Sequence, residues 1–361
     1  MKFRTPRDFP RHLTRSALLL LTVLVASPGF ASGPVEASGD LGTGHGHMAY
    51  GRFADAAQSF ERAARHAAKT HDEDGQLHAL QALAEARQAL GAPDQAVIAL
   101  KQAIALAESR GDPRWNALLQ AQLGNTHLQS GRVDEARPLL MTALEAARTQ
   151  KNPAFVAAVL NDLGSLHGIA NDSVAARDAF DEARRLAQET NNHALALRVL
   201  LNAAALELAL REPGRARELA HAAQQVARQL EAQPYLQVQG LIRSGLILSQ
   251  VAQLDARERQ ETTRAAHAVL RDALQQAESL QEPRLVSAAS GALGNVYLLA
   301  NRRTEALTLT HQAILAAQRA GAAELLFRWH WQAARLHRAQ RDLDQAIGSY
   351  RLALAAYEAS N

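Results

Sequence analysis

The chain has 361 residues, 47% of them apolar but only 4% aromatic, with no cysteine and a formal charge of +3. Ala and Leu carry the apolar share, and with Arg, Gln and Glu they are strong helix formers, so an all-helical protein is predicted. Disulfides and lipid attachment through cysteine are excluded. The positive balance does not mark a nucleic-acid surface: residues 1–31 hold Lys2, Arg4, Arg7, Arg11 and Arg15 against Asp8, a net +4, so the rest of the chain carries −1.

In chain order, the first element is a leader over residues 1–31. A basic stretch ends at Arg15, and the apolar run Ala17 to Ala26 is too short to span a bilayer comfortably. Pro28, Gly29 and the small Ala31 come next, which predicts a signal peptide cleaved after Ala31, with Ala37 as the second choice and an uncleaved anchor as the alternative. The mature chain is then exported, to the periplasm or beyond, with no membrane contact apart from the leader. Residues 32–39 read as a flexible Gly/Ser linker. Gly39, Gly42, Gly44 and Gly46 disfavour helix, so the first helix after the linker is expected to be short.

From residue 40 to 361 the sequence repeats. Small residues recur at Gly44, Ala84, Gly124, Gly164, Ala205, Gly245, Gly294 and Ala334. A second register holds Ala56, Ala96, Ala136, Ala176, Ala216, Ala266, Ala306 and Ala346, and a third holds Ala63, Ala103, Ala143, Ala183, Ala223, Ala273, Ala313 and Ala353. Each unit reads as two amphipathic helices, A then B, crossing where a small anchor lets the backbones approach. Turn signals separate A from B at Gly91, Gly131, Asn171, Pro213-Gly214 and Asn301. Asp112-Pro113 and Asn152-Pro153 begin new units as an N-cap followed by a first-turn proline. The predicted fold is an all-α superhelical solenoid of about eight helix-turn-helix repeats, in which stacking buries what one hairpin cannot.

Leu123-Gly124-Asn125 and Leu293-Gly294-Asn295, with the variant Leu163-Gly164-Ser165, resemble tetratricopeptide repeats of the longer, roughly 40-residue type. The resemblance covers residues 40–361 and implies a repeat fold that binds proteins or peptides. The tyrosine usual in that family survives as Tyr297 but is His127, His167 and His337 elsewhere. The stretch from Trp329 to Glu358 resembles the last repeat before the caspase-like domain of bacterial CHAT peptidases, whose His–Cys dyad has no counterpart here. That resemblance implies a regulatory repeat region acting with a catalytic domain outside this chain.

Two units depart from the pattern. Unit six carries nine extra residues around Val251 to Thr263, lacking Gly and Pro, which read as a helix extension. The last helix, Leu343 to Ala356, is apolar on most sides, although a terminal repeat should present a polar face. A following domain or self-association through this helix is therefore expected. Phe327, Arg328, Trp329 and Trp331 read first as core of the last hairpin.

The sequence offers no catalytic residues, no metal site and no cofactor. His45-Gly46-His47 lacks a third ligand at defined spacing, and the Gly42-to-Gly46 stretch lacks the strand and Lys-Ser/Thr of a phosphate loop. His127, His167 and His337 fall in equivalent repeat positions and are expected to be buried substitutes for tyrosine. What remains is the inner, concave face of the A helices. Counting from each anchor, it should carry Gln81, Glu85, Asn125, Asn161, Ser165, Asn202, Asn295 and Arg335. Asparagine donates and accepts together, which suits the amides of an extended peptide. The chain therefore reads as an exported, non-enzymatic scaffold for a protein or peptide. The regulatory half of a CHAT-type peptidase is the alternative, and a sensor with a defined pocket is a third reading.

Overall fold

The computed structural model describes residues 39–359. The expected signal peptide, its cleavage site and nearly all of the 32–39 linker lie outside the described residues.

Sixteen helices fill that span: α1 Asp40–Ala49, α2 Phe53–Thr70, α3 Glu73–Ala89, α4 Pro93–Ser109, α5 Pro113–Gln129, α6 Val133–Thr149, α7 Pro153–Ile169 and α8 Ser173–Glu189, then α9 His193–Ala209, α10 Pro213–Ala227, α11 Pro234–Leu254, α12 Arg259–Ser279, α13 Pro283–Leu299, α14 Arg303–Arg319, α15 Ala323–Ala339 and α16 Leu343–Ala359. Odd helices are the A helices and even ones the B helices, giving eight hairpins. They group into two compact units, one holding residues to Met48 with Arg52–Leu210, the other Ala49–Gly51 with Arg211 onward.

Steric fit closes the hairpins anchored at Gly44, Gly124, Gly164 and Gly245, whereas at Gly294 the close approach is to Ala306 O and Thr310 Oγ1. A Cβ added at Gly124 would lie 2.9 Å from Leu140 Cγ, one at Gly164 2.8 Å from the Phe180 ring, and one at Gly245 2.5 Å from Leu270 Cγ. The anchor therefore receives a large side chain from the B helix, and Phe60 meets Gly44 in the same way. All eight alanines of the second register are buried, as is the third register apart from the half-buried Ala63. A further alanine register is also buried: Ala67, Ala107, Ala147, Ala187, Ala227, Ala277 and Ala317. In the last hairpin its position is taken by the exposed Tyr357, whose ring packs on Phe327.

The connections are built alike. A left-handed residue recurs every twenty positions at Gly51, His71, Gly91, Gly111, Gly131, Lys151, Asn171, Asn191 and Arg211, and again at Gln281, Asn301, Gly321 and Arg341. All but Arg211 show the 6→1 bond of a Schellman motif at the helix end. Within a hairpin, Ala92 N–H donates to Arg87 O at 2.9 Å; between hairpins, Asp112 N–H donates to Ala107 O at 3.0 Å. Where the next residue is Asp or Asn it caps the following helix: Asn152 Oδ1 accepts from Phe155 N–H at 3.1 Å and Asp172 Oδ1 from Ala175 N–H at 3.1 Å. So A–B and B–A connections share one geometry, and the structural period is half the sequence period.

Two connections lack a left-handed residue, and both have altered length. One is residues 228–233, after the shortened α10. Its extra residue means that the anchor of the fifth hairpin is Ala204, forty after Gly164 and fully buried, and not Ala205. The other is Asp255–Glu258. Here α11 and α12 have 21 residues each against 17 for most others. The nine inserted residues thus become about one turn on each helix plus one loop residue, not an extension of a single helix. Asp255 Oδ1 accepts from Arg257 N–H at 2.9 Å and fixes that turn.

Within each unit, consecutive A helices touch one another as well as their B partners: α3 with α5, α5 with α7, α7 with α9, and, in the second unit, α11 with α13 and α13 with α15. Helices that touch side by side line the inner face of their unit. The hairpins of the first unit are also tied by a bidentate pair, in which Arg177 on α8 donates to Glu207 on α9 at 2.9 and 2.7 Å.

Gly164→Leu should destabilise the chain by about 1–3 kcal/mol in urea unfolding, through overpacking against Phe180. Gln281→Gly, at an exposed residue held at φ 53°, should stabilise it by about 0.5–1 kcal/mol by relieving left-handed strain.

Candidate binding face on the A helices

The first unit holds Gln81 and Glu85 on α3, Asn125 on α5, Asn161 and Ser165 on α7, and Asn202 on α9. The second holds Asn295 on α13 and Arg335 on α15. Only in the first unit do these positions form a connected set. Asn202 Nδ2 donates to Asn161 Oδ1 at 3.0 Å, Asn161 Nδ2 to Asp162 Oδ1 at 2.9 Å, and Ser165 Oγ to Asn161 O at 3.1 Å. Gln122 Nε2 donates to Gln81 O at 3.3 Å, and Gln129 Nε2 to Asn125 Oδ1 at 2.8 Å. In the second unit Asn295 Nδ2 donates to Ser249 Oγ at 3.2 Å, and Arg335 is exposed.

Much of this face is buried. Gln81, Glu85 and Asn161 are 6%, 9% and 1% exposed, while Asn125, Ser165 and Asn202 are half-buried. Three further residues, not singled out from the sequence, complete it: Gln122, Asp162 and Arg198, all buried. With the anchor at Ala204, Gln122, Asp162 and Asn202 form one column, forty residues apart and two before each anchor. The Ala205 register hid that column, and Arg198 has no charged counterpart in the neighbouring hairpins.

Burial governs the electrostatics. It pushes the Glu85 carboxyl up to about 8, with Arg198 pulling it back only in part. Asp162 is also raised by burial, opposed by Arg198 and by hydrogen bonds from Asn161 and Asn125. Two carboxyls from α3 and α7 thus share one guanidinium from α9. Around them Gln81 Nε2, Glu85 Oε1, Gln122 Oε1 and Arg198 Nε have no hydrogen-bond partner in the protein. A buried polar atom without a partner costs about 1–3 kcal/mol, so these four atoms mark where the face has unmet hydrogen-bonding capacity.

His127, His167 and His337 lie on three separate hairpins, and His337 has His311 as a neighbour, ring centres 6.2 Å apart. His127 and His337 are buried and His167 is half-buried, and His127 Nδ1 lies 3.3 Å from Glu135. Among the described residues no group of three or more His, Asp or Glu side chains is placed to hold a metal ion. No described helix is long and apolar enough to cross a membrane. Trp329 is core, its Nε1–H donating to Ser287 Oγ at 2.9 Å, while the half-buried Trp331 packs edge-on against Tyr350 with ring centres 5.0 Å apart.

A carboxyl that is neutral when folded and ionised when unfolded favours the folded state below its unfolded pKa. That advantage is lost as pH rises through the folded value. The melting temperature of Glu85→Gln should therefore gain on that of the wild type between about pH 5 and pH 8.5. Parallel melting curves across that range would show that Glu85 is hydrated.

Tetratricopeptide-repeat family models match residues 79–114 and 116–189. No curated protein sequence matches the chain. Among solved structures, the apo form of the quorum sensor NprR from B. thuringiensis is similar with a TM-score of 0.61 at 11% identity, over 88% of this chain and 86% of that one. Yeast Tom70 has a TM-score of 0.50 at 15% identity, over 96% of this chain and 72% of its own. A signal-transduction ATPase with a tetratricopeptide repeat sensor from Pyrococcus horikoshii has 0.50 at 13% identity, over 83% of this chain and 48% of its own. At such identities the likeness concerns the fold.

Proposed function

This chain is a tetratricopeptide repeat protein, and we propose that it is an exported, non-catalytic scaffold that binds a protein or peptide on the inner face of its first unit. The observation that carries the reading is the ladder of amides, carboxyls and one guanidinium on α3, α5, α7 and α9, with buried polar atoms unpartnered among them. Such groups match the alternating donors and acceptors of a peptide main chain. The quorum sensor and the repeat sensor among the similar structures are compatible with it. Export rests on the leader at residues 1–31. The periplasmic form should begin at Ser32, and an intact Met1 there would refute cleavage after Ala31.

A photo-crosslinking residue at Asn125, half-buried on the inner face, should label the partner, whereas one at Val174, 69% exposed on α8, should not. Equal labelling from both would contradict the proposal. Asn125→Ala should weaken partner binding by about tenfold, or 1.4 kcal/mol, and should also lower the melting temperature somewhat, because it removes one of the two amides that bond Asp162. Asn161→Ala is expected to cost about 1–3 kcal/mol of stability as well, because it strips partners from Asp162 and Asn202.

A second reading, a regulatory repeat region working with a CHAT-type peptidase domain, is favoured by α16. Leu343, Ile347, Leu352 and Leu354 are all more than half exposed there. If that face is built to be covered, the chain should self-associate in light scattering, and Ile347→Gln with Leu354→Gln should render it monomeric. A monomeric wild type would remove the support for this reading.

A further inference from the structure

The buried groups of the first unit also say what kind of partner fits. They comprise two carboxyls, Glu85 and Asp162, but one guanidinium, Arg198. Asp162 is held by Asn161 and Asn125 as well as facing Arg198. Glu85 has no such support: Arg198 is the one charge acting on it, and its Oε1 is unpartnered. The other elements around α3 do not supply a cation. Arg87 is taken by Glu61 of α2 and Gln95 of α4, and α5 presents Gln122. The site therefore carries one carboxyl more than its own cation balances.

We propose that Glu85 receives a basic side chain of the peptide partner, the guanidinium of an arginine or the ammonium of a lysine. This rests on the peptide-binding reading above. The unpartnered acceptors, Glu85 Oε1 and Gln122 Oε1, lie on neighbouring A helices and suit the N–H donors of such a cation. The unpartnered donors, Gln81 Nε2 and Arg198 Nε, suit main-chain carbonyl oxygens. An acidic side chain would instead bring a third carboxyl to a site with one guanidinium. When the cation enters, the Glu85 carboxyl loses its proton to solvent and forms the ion pair. Burial holds that proton in the empty protein, with the carboxyl pushed up to about 8. Binding near neutral pH then releases a proton, and a cation displaces it more readily as pH rises towards that value.

The test uses the full chain and four pools of synthetic heptapeptides, with uncharged mixed residues flanking a central Arg, Lys, Ala or Glu. Titration calorimetry near pH 7, in two buffers of different ionisation enthalpy, reads affinity and proton release together. The Arg and Lys pools should bind about tenfold tighter or more than the Ala and Glu pools and release close to one proton. Glu85→Gln, which mimics the neutral acid already present in the empty protein, should abolish both the preference and the proton release. Its melting temperature near pH 7 should stand above that of the wild type, in keeping with the raised carboxyl, so a lost preference cannot be put down to a lost fold. Equal affinity for the Ala, Arg and Lys pools would overturn the inference and leave the peptide-binding reading standing. Tightest binding of the Glu pool would overturn it in favour of Arg198 as the recognising charge. Binding of none of the pools would take the peptide-binding reading down with it.

Discussion

In the hairpins anchored at Gly44, Gly124, Gly164 and Gly245 a glycine on the A helix leaves room for a large side chain crossing from the B helix, and the rest of the architecture depends on that close approach. Leu140 over Gly124 and Phe180 over Gly164 are fully or almost fully buried. Burying such a side chain contributes about 1.5–3 kcal/mol. The alanines on the outward side of each B helix repeat the device towards the next hairpin. Neighbouring A helices within a unit come into contact, and polar residues at that contact, such as Gln122, Asn161 and Asp162, lose their water.

That loss of water sets the chemistry of the face proposed for recognition. On an open groove Glu85, Asp162 and Arg198 would be ordinary solvated charges. Drawn together from three A helices, they become one coupled group, and the amides of Asn125, Asn161 and Asn202 become its supports. The asparagines thus have a double part. Asn161 is nearly inaccessible and bonds both Asp162 and Asn202, while Asn125 and Ser165 stay partly open to solvent. The second unit shows the contrast: Asn295 bonds only to Ser249, and Arg335 points to solvent.

The fold was legible because its packing needs write directly into sequence: small residues at crossings, alanines between hairpins, proline after a capping Asp or Asn. The half-period of the connections was harder to see. Gly and Asn mark it at positions such as 91, 111, 171 and 191, but His71, Lys151, Arg211, Gln281 and Arg341 accept the same left-handed conformation without a residue type that announces it. The insertion was visible as length, yet its division between α11 and α12 depends on where Asp255 caps the turn. For the inner face, helical spacing placed Gln81, Glu85, Asn125 and Asn161 on the A helices, because position relative to an anchor is a local property. Arg198 was not legible, since its meaning comes from Glu85 and Asp162, which stand 113 and 36 residues earlier in the chain. How much the face is buried depends on how closely A helices approach, which no single repeat encodes.

The most direct test is the ionisation of Glu85 itself, followed by carbon NMR of its side-chain carboxyl over a pH titration of the folded chain. A midpoint near 8 is expected, meaning that the A helices of the first unit exclude water from the face on which recognition is placed. A midpoint near the ordinary 4.5 of a glutamate would mean an open, hydrated groove and would contradict both the desolvated site and the basic-partner preference inferred from it.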